Sequence, residues 1–310
     1  MRESAPYVMI VLMNFADRLA EAARRKSSCA ILGVDPQLDS KAFPGVPKAY
    51  TLASFCCEIV EACAPFICAV KPQLAFYEAR GLDGMRAFVE VVRTARRLGL
   101  IVIADAKRGD IGSTSAAYAE AFLGDGDFGC DAVTVNPYQG ADSAMPFIAR
   151  VPNGRGVFVL VKTSNPSSGE FQDVASDGVA MWERIAARVH GWGSDFIGES
   201  GMSPVGAVLG ATFPNHARRA RILMPNAFIL VPGYGAQGAS AADAIVAARP
   251  DGTGIVVNAS RSLMYAYRKA PNKSPAEAAA AAASAMREDL NAALTKHRTV
   301  SGSSDSSPMV

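Results

Sequence analysis

The sequence LIVIADAKRGDIGST (residues 100–114) joins a run of apolar residues to a dense group of charged ones. Residues 100–104 are all apolar, which is typical of a buried strand in a parallel sheet. Because successive strand residues point to opposite faces, Asp105 and Lys107 point the same way. Asp110 follows on the turn after the strand. Such charges at the end of an apolar strand indicate a site for proton transfer and charge stabilisation or, alternatively, a surface salt-bridge network.

The order of strand and then helix recurs along the chain. Seven further apolar runs have the character of strands: 30–34, 67–70, 132–135, 156–161, 205–209, 228–231 and 255–257. Helical periodicity occurs in the segments 14–25, 50–64, 84–98, 179–189 and 276–294. Ser274 as N-cap, Pro275 at the first position and Glu277 three residues after the cap predict the start of the last helix. Eight apolar strands alternating with helices predict an α/β fold in which a parallel sheet closes into a (β/α)8 TIM barrel. An open, doubly wound sheet is the alternative.

The two ends of the chain differ in character from this repeat. We expect one barrel domain over residues 14–298, preceded by an N-terminal extension, residues 1–13. The apolar run 7–13 is too short to span a bilayer and lacks the flanking pattern of a signal peptide. Residues 299–310 are expected to form a disordered tail, because Ser-rich sequence has little to bury.

Composition excludes several classes of function. The chain has 310 residues and a net charge of +2, without a basic stripe, so we expect neither a nucleic-acid nor a membrane partner. Its six cysteines form no Cys-x-x-Cys pair, which favours reduced, buried thiols in a cytoplasmic protein. The three histidines lack metal-ligand spacing, and no metal site is predicted.

Polar or turn-forming residues follow seven of the eight predicted strands. In a barrel of this type the functional groups lie at the carboxyl ends of the strands. Besides the segment 105–110, these ends carry Asp35, Lys71, Asn136, 162–164, 232–233 and Asn258. Asp and Asn are also common turn residues, but their recurrence at so many strand ends favours a shared site.

Two of the last loops predict an anion site. The segment GYGAQG (233–238) offers backbone N–H groups, and NASR (258–261) places the guanidinium of Arg261 at the start of a helix. The spacing Gly-x-Gly-x-x-Gly occurs here without the first-strand context of a dinucleotide fold, so we predict no nicotinamide cofactor. The polar segment 164–173 is a candidate lid.

These motifs resemble those of the orotidine 5'-phosphate decarboxylase family, in its longer bacterial subclass. The resemblance extends from about residue 14 to about residue 267. It depends on GVDP (33–36), KPQLAFY (71–77), DAKRGDIGST (105–114), VNPYQG (135–140), KTSNP (162–166), VPGYGAQG (231–238) and VNASR (257–261). It implies conversion of orotidine 5'-phosphate into UMP and carbon dioxide by a homodimeric barrel that needs no metal or organic cofactor.

The resemblance also implies roles for individual residues. Lys71, Asp105, Lys107 and Asp110 correspond to the family's alternating charged array, in which Lys107 would protonate C6 of the pyrimidine. Asp110 and Thr114 would reach into the site of the partner subunit. The implied substrate-binding residues are Asp35 for the ribose, Thr163 or Ser164 for the pyrimidine amide edge, and Gln237 and Arg261 for the phosphate. Asn136, Asn258, Gly233 and Gly238 are the remaining candidates for substrate contacts.

Two other functions remain open at this stage. A decarboxylase or aldolase of sugar phosphates on the same barrel uses a similar Asp-x-Lys-x-x-Asp run to support a magnesium enediolate, but no extra acidic cluster for the metal is present in the sequence. A catalytically silent phosphate-binding barrel would need Arg261 but would have no use for Lys107 between carboxylates.

Overall fold

The structure, a computed structural model, describes residues 13–39, 45–211, 213–235 and 239–304. Its first half runs α1 (Phe15–Lys26), β1 (Ala30–Val34), α2 (Leu52–Cys63), β2 (Ala69–Pro72), α3 (Leu74–Glu78), α4 (Gly81–Arg97), β3 (Ile101–Arg108) and α5 (Gly112–Leu123). Its second half runs β4 (Ala132–Val135), α6 (Ala141–Ile148), β5 (Gly156–Lys162), α7 (Gly169–Gln172), β6 (Ala175–Ser176), β7 (Val179–Ala180), α8 (Met181–Gly193), β8 (Ser203–Leu209), α9 (Pro214–Leu223), β9 (Ala227–Pro232), α10 (Ala241–Ala244), β10 (Ile255–Ala259), α11 (Arg261–Met264) and α12 (Pro275–Ser304).

Eight of the strands close into a parallel barrel. Their order is β1-β2-β3-β4-β5-β8-β9-β10, and β10 pairs with β1 to complete the ring. The remaining two strands, β6 and β7, form a small antiparallel hairpin in the connection between β5 and α8. The closed ring confirms the predicted TIM barrel and rules out an open sheet. All eight predicted strands are present.

Helix α1 closes the amino-terminal end of the barrel. Its Phe15 and Leu19 are fully buried and pack with the side chains that fill the barrel interior. The ring of Phe15 meets that of Phe158 edge to face, with 6.1 Å between the ring centres. Gly156 makes room for this contact, because a Cβ atom there would lie 2.2 Å from the Phe15 ring. With one end filled by apolar side chains, the polar strand ends lie at the opposite, carboxyl end.

The ends of two predicted helices differ from the structure. Val179 and Ala180 belong to strand β7, so the helix expected from residue 179 begins at Met181. Helix α12 continues to Ser304, and residues 299–304 are therefore helical rather than part of a disordered tail. Residues 305–310 and residues 1–12 of the expected extension lie outside the described residues.

The start of α12 and the cysteines agree with the sequence prediction. Ser274 and Glu277 exchange side-chain and backbone hydrogen bonds at the start of α12, as a capping box requires. All six cysteines are free thiols, and five of them are buried. Among the described residues, no helix combines the length and the apolar character that crossing a bilayer requires.

Candidate active site

Asp105 is the centre of a buried charged cluster at the carboxyl end of the barrel. Its Oδ2 accepts a hydrogen bond from Lys71 Nζ of β2 at 2.5 Å, and its Oδ1 accepts one from Lys107 Nζ at 2.5 Å. Lys71 and Asp105 are both buried. The structure therefore brings three of the four predicted array members together inside the barrel mouth. This arrangement is not a surface salt-bridge network.

Two neutral donors complete the surroundings of the Asp105 carboxylate. Gln73 Nε2 donates to Oδ2 at 3.0 Å, and Thr134 Oγ1 donates to Oδ1 at 3.0 Å. Neither residue is among the site residues predicted from the sequence. A periodicity-two signal was available for each, because Gln73 lies two residues after Lys71 and Thr134 lies two residues before Asn136. With these donors, each oxygen of Asp105 is held by one ammonium and one neutral group.

Lys107 departs from regular strand geometry. Its φ is +49°, in the left-handed region, and the pairing of β3 with β4 is irregular between Ala104 and Arg108. The Lys107 N–H donates to Thr134 Oγ1 at 2.9 Å, which helps to hold this conformation. The Lys107 side chain is 43% exposed, compared with 4% for Lys71. Lys107 is thus the ammonium of the pair that a molecule at the barrel mouth can reach.

The charges of the cluster stabilise one another. Burial alone would raise the pKa of the Asp105 carboxyl, but the ammonium groups of Lys71 and Lys107 hold that pKa well below its usual range. Burial likewise disfavours the charged form of Lys71, yet Asp105 and Asp35 together raise the pKa of Lys71 above its ordinary value. Asp105 is therefore a carboxylate and Lys71 an ammonium at neutral pH.

Asp35 and Asn258 present buried acceptors beside this cluster. They lie at the carboxyl ends of β1 and β10, which are paired. Asp35 Oδ1 and Asn258 Oδ1 are buried and have no hydrogen-bond partner in the described part of the chain. Burial raises the pKa of the Asp35 carboxyl, and the nearby Lys71 ammonium opposes that rise. Unpaired buried acceptors are costly, so both oxygens are suited to receive hydroxyl or amide donors from a ligand.

Within one protomer, Asp110 and Thr114 form no hydrogen bond or ion pair with the described residues of the charged cluster. Asp110 Oδ1 accepts a hydrogen bond from the Ile111 N–H at 2.8 Å, and Asp110 forms no ion pair with any described lysine or arginine. Thr114 is exposed in the first turn of α5. Asp110 therefore does not join Lys71 and Lys107 in a single chain, and the predicted action of both residues across a dimer interface stays a prediction.

Thr163 and Ser164, the two candidates for pyrimidine binding at the end of β5, differ in their hydrogen bonds. Thr163 N donates to Gln172 Oε1 at 2.9 Å, and Thr163 Oγ1 accepts from Gln172 Nε2 at 2.8 Å and donates to Asn165 Oδ1 at 2.6 Å. Thr163 is thus engaged within the protein. The hydroxyl of Ser164 has no hydrogen bond to a described residue, so Ser164 is the better placed of the two for a ligand.

The predicted anion site is only partly described. Gly233 and Gly235 have φ values of +104° and +70°, which glycine adopts without strain. A Cβ atom at Gly235 would lie 3.8 Å from Ser262 Oγ, so the loop after β9 lies against α11. Arg261 begins α11, is exposed, and has no acidic partner in the ranges that the structure covers. Gln237 and Gly238 lie outside the described residues.

Asn136 forms hydrogen bonds with the backbone of neighbouring loops. Its Oδ1 accepts a hydrogen bond from Tyr138 N at 3.1 Å, and its N–H donates to the Arg108 carbonyl at 2.8 Å. A Cβ atom at Gly109 would lie 2.7 Å from the Asn136 carbonyl oxygen, so the loop that carries Asp110 passes close to Asn136. Asn136 shapes that loop, and a contact between Asn136 and substrate stays a prediction. No cluster of three His, Cys, Asp or Glu side chains able to hold a metal ion occurs in the described part of the chain.

Comparison with known proteins places the chain among related sequences. A sequence profile of the family described as "Orotidine 5'-phosphate decarboxylase / HUMPS family" matches residues 38–279. An orotidine 5'-phosphate decarboxylase of Rhodopirellula baltica is 42% identical over 83% of this chain and 90% of its own length. The enzyme of that name from Deinococcus radiodurans is 43% identical over 91% of this chain and 98% of its own.

Comparison with solved structures also finds orotidine 5'-phosphate decarboxylases. The structure of Leishmania donovani OMP decarboxylase superposes with a TM-score of 0.73 at 33% identity, covering 91% of this chain and 99% of the other. The profile match includes strands β2 and β3, which carry the charged cluster. The chain therefore belongs to the orotidine 5'-phosphate decarboxylase family.

Proposed function

We propose that this protein removes the 6-carboxylate of orotidine 5'-phosphate to give UMP and carbon dioxide, the last step of pyrimidine nucleotide synthesis. The observation that carries the proposal is the Asp105 carboxylate held between the ammonium groups of Lys71 and Lys107. Relatives that bear the name of this activity are 42% and 43% identical to the chain. They favour this function over a sugar-phosphate lyase or a silent phosphate-binding barrel.

Lys107 is proposed to supply both charge and proton. When the bond between C6 and the carboxylate breaks, its electron pair stays on C6, and the ring offers no sink for that pair. An ammonium already fixed in place stabilises the developing carbanion without reorganisation. Lys107 Nζ then gives a proton to C6 and recovers one from solvent, for which its 43% exposure leaves access.

Asp105 and Lys71 are proposed to fix Lys107. Asp105 anchors Lys107 Nζ at 2.5 Å, while Lys71, Gln73 and Thr134 hold Asp105 itself. A lysine anchored in this way keeps its charge and its direction before substrate binds, which lowers the cost of reaching the transition state. The chain's own residues provide this chemistry, and we propose that no cofactor takes part.

The remaining substrate contacts follow from the free polar groups. The unpartnered oxygens of Asp35 and Asn258 are suited to ribose hydroxyl donors. The Ser164 hydroxyl is suited to the amide edge of the pyrimidine. Arg261 and the glycine turns at Gly233 and Gly235 are suited to the phosphate, and Gln237 and Gly238 are proposed to join them. Binding of a remote phosphate helps catalysis by driving closure around the base.

A homodimer is part of the proposal. Ile111, next to Asp110, is an exposed apolar side chain, and so is Tyr138 on the neighbouring loop after β4. Exposed apolar side chains beside functional charges favour contact with a second copy of the chain. Asp110 and Thr114 would then enter the partner's site. The free, buried cysteines agree with a cytoplasmic location, which we also propose.

The proposed activity is tested by the ultraviolet absorbance of orotidine 5'-phosphate mixed with purified protein in buffer that contains a metal chelator. We expect the orotate band to disappear and UMP to accumulate. Unchanged absorbance with folded protein would overturn the proposal. A repeat with magnesium and a panel of sugar phosphates would then separate a lyase of that class from a silent binder.

A further inference from the structure

A second buried lysine lies at the barrel mouth outside the charged cluster. Lys162 is the last residue of β5, and its side chain is 0% exposed. Its Nζ donates to Asp173 Oδ1 at 2.7 Å. Asp173 follows directly after α7, in the connection between β5 and α8. A buried ammonium is expensive unless it is paired, so this carboxylate fixes where the connection lies.

The neighbour of Asp173 strengthens this attachment. Gln172 bonds to both the N–H and the hydroxyl of Thr163, at 2.9 Å and 2.8 Å. Two consecutive residues of the connection therefore bind two consecutive residues at the end of β5. Ser164 is the next residue along, and it lies inside the short loop that these bonds close. The bonds thus help to set the position of Ser164, whose backbone also packs against Gly210 of the loop after β8.

Apolar packing contributes less than these polar bonds to the attachment of the connection to the barrel. Phe171 is 66% exposed and Val174 is 60% exposed, so the large apolar side chains of the connection point to solvent. The polar bonds of Gln172 and Asp173 are what fasten the segment to the barrel. Segments held by few buried apolar contacts open at low free-energy cost. Loss of one polar bond should therefore shift the segment towards open forms.

Lys162 also links the connection to the next barrel loop. Its Nζ lies 5.0 Å from the centre of the Phe213 ring, a cation–π contact. Phe213 packs edge to face against His216, which packs in turn against Trp182 at the start of α8. Lys162 thus contacts the connection directly at Asp173, and the rings of Phe213 and His216 link it indirectly to Trp182 in α8.

We infer that Lys162 is a positioning residue, whose ion pair with Asp173 holds Ser164 where it recognises the pyrimidine base. The inference rests on the proposed function. It assigns no contact between Lys162 and substrate. If the pair is broken, only a fraction of molecules present Ser164 correctly, and the apparent affinity for a base-containing ligand falls by that fraction. The phosphate end of the site, on the loops after β9 and β10, is unaffected.

The test is the variant Asp173→Asn, which removes the charge and keeps the shape. We expect affinity for UMP, measured by calorimetry, to fall about tenfold, while affinity for ribose 5-phosphate, which lacks the base, stays the same. The KM for orotidine 5'-phosphate should rise to a similar degree and kcat should change less than about threefold, since bound substrate closes the connection. Asp173→Glu should recover much of the loss.

Asp177→Asn is the matched control. Asp177 lies in the same connection but is exposed; among the described residues it forms an ion pair with Arg184 alone, at 3.6 Å, and it accepts a hydrogen bond from Ser176 Oγ at 3.1 Å. We expect this variant to behave as the wild type in all four measurements. If Asp173→Asn does not fold, Lys162→Met provides a second test, because it removes the same ion pair from the strand side while Asp173, which is 45% exposed, keeps access to water. We expect the same loss of UMP affinity, with affinity for ribose 5-phosphate unchanged.

Three outcomes would count against the inference or its premise. Unchanged UMP affinity in a folded Asp173→Asn protein overturns the positioning role. Equal losses for UMP and ribose 5-phosphate also overturn it, since they would indicate general damage to the barrel mouth. Wild-type protein that neither binds UMP nor decarboxylates orotidine 5'-phosphate would instead overturn the proposed function.

Discussion

At the scale of single residues, the site depends on charges placed where burial would normally forbid them. Asp105 and Lys71 are buried, and each makes the charged form of the other favourable. Gln73 and Thr134 donate further hydrogen bonds to the two oxygens of the Asp105 carboxylate. Lys107 is the exposed member of the set. The network holds one reactive ammonium in a fixed position and leaves it open to a ligand.

Arg261 lies at the other end of the proposed substrate. We predict that Arg261→Ala weakens binding of UMP by about 1.5–3 kcal/mol, the contribution of a charged hydrogen bond, and leaves binding of uridine unchanged. Calorimetric titration of both ligands measures the difference. Arg218→Ala, at an exposed position on α9, is the control. Equal UMP affinity in the Arg261 variant and the wild type would remove Arg261 from the phosphate site.

At the scale of elements, strands were easier to predict than side-chain partners. Buried parallel strands require unbroken apolar runs, so all eight could be located from hydrophobicity. The capping box of α12 could also be predicted, because Ser274 and Glu277 are only three residues apart in sequence. The hairpin of β6 and β7 could not be predicted, because strands of two residues show no periodicity in hydrophobicity. The sequence pattern therefore predicts Val179 in a helix.

Partners that lie in irregular segments could not be predicted. The bond between Lys162 and Asp173 joins a strand end to a loop whose path depends on tertiary contacts. The left-handed backbone of Lys107 likewise arises from the irregular pairing of β3 with β4. Strand alternation predicts Lys107 on the same side as Asp105, and the two side chains do meet, but through a left-handed backbone bonded to Thr134 that alternation does not predict. The sequence thus indicated a charged cluster at the strand ends, whereas its supporting contacts depend on the tertiary structure.

At the scale of the whole molecule, the proposed enzyme is a homodimer of barrels. Asp110 forms no ion pair with a described lysine of its own protomer, although the resemblance assigns it to the charged array. If Asp110 acts on the partner's site, then inactive Lys107→Ala and inactive Asp110→Ala proteins should complement each other. A mixed dimer contains one site with both residues intact.

We predict that mixing the two variants under conditions that exchange subunits restores activity to about a quarter of the wild-type level, since about half of the dimers are mixed and each has one intact site. Each variant kept alone in the same conditions is the control. A mixture as inactive as its components would place Asp110 in the site of its own chain or outside the site altogether.

The central claim is that Lys107, held by Asp105, carries out the chemistry. The most direct test is the rate of orotidine 5'-phosphate decarboxylation by Lys107→Ala, measured beside Lys273→Ala, which removes an exposed lysine ahead of α12. We predict a fall in kcat of about a thousandfold or more for Lys107→Ala, because charge stabilisation and proton donation are lost together, with the fold and UMP binding retained. Near-normal turnover by a folded Lys107→Ala protein would contradict the account.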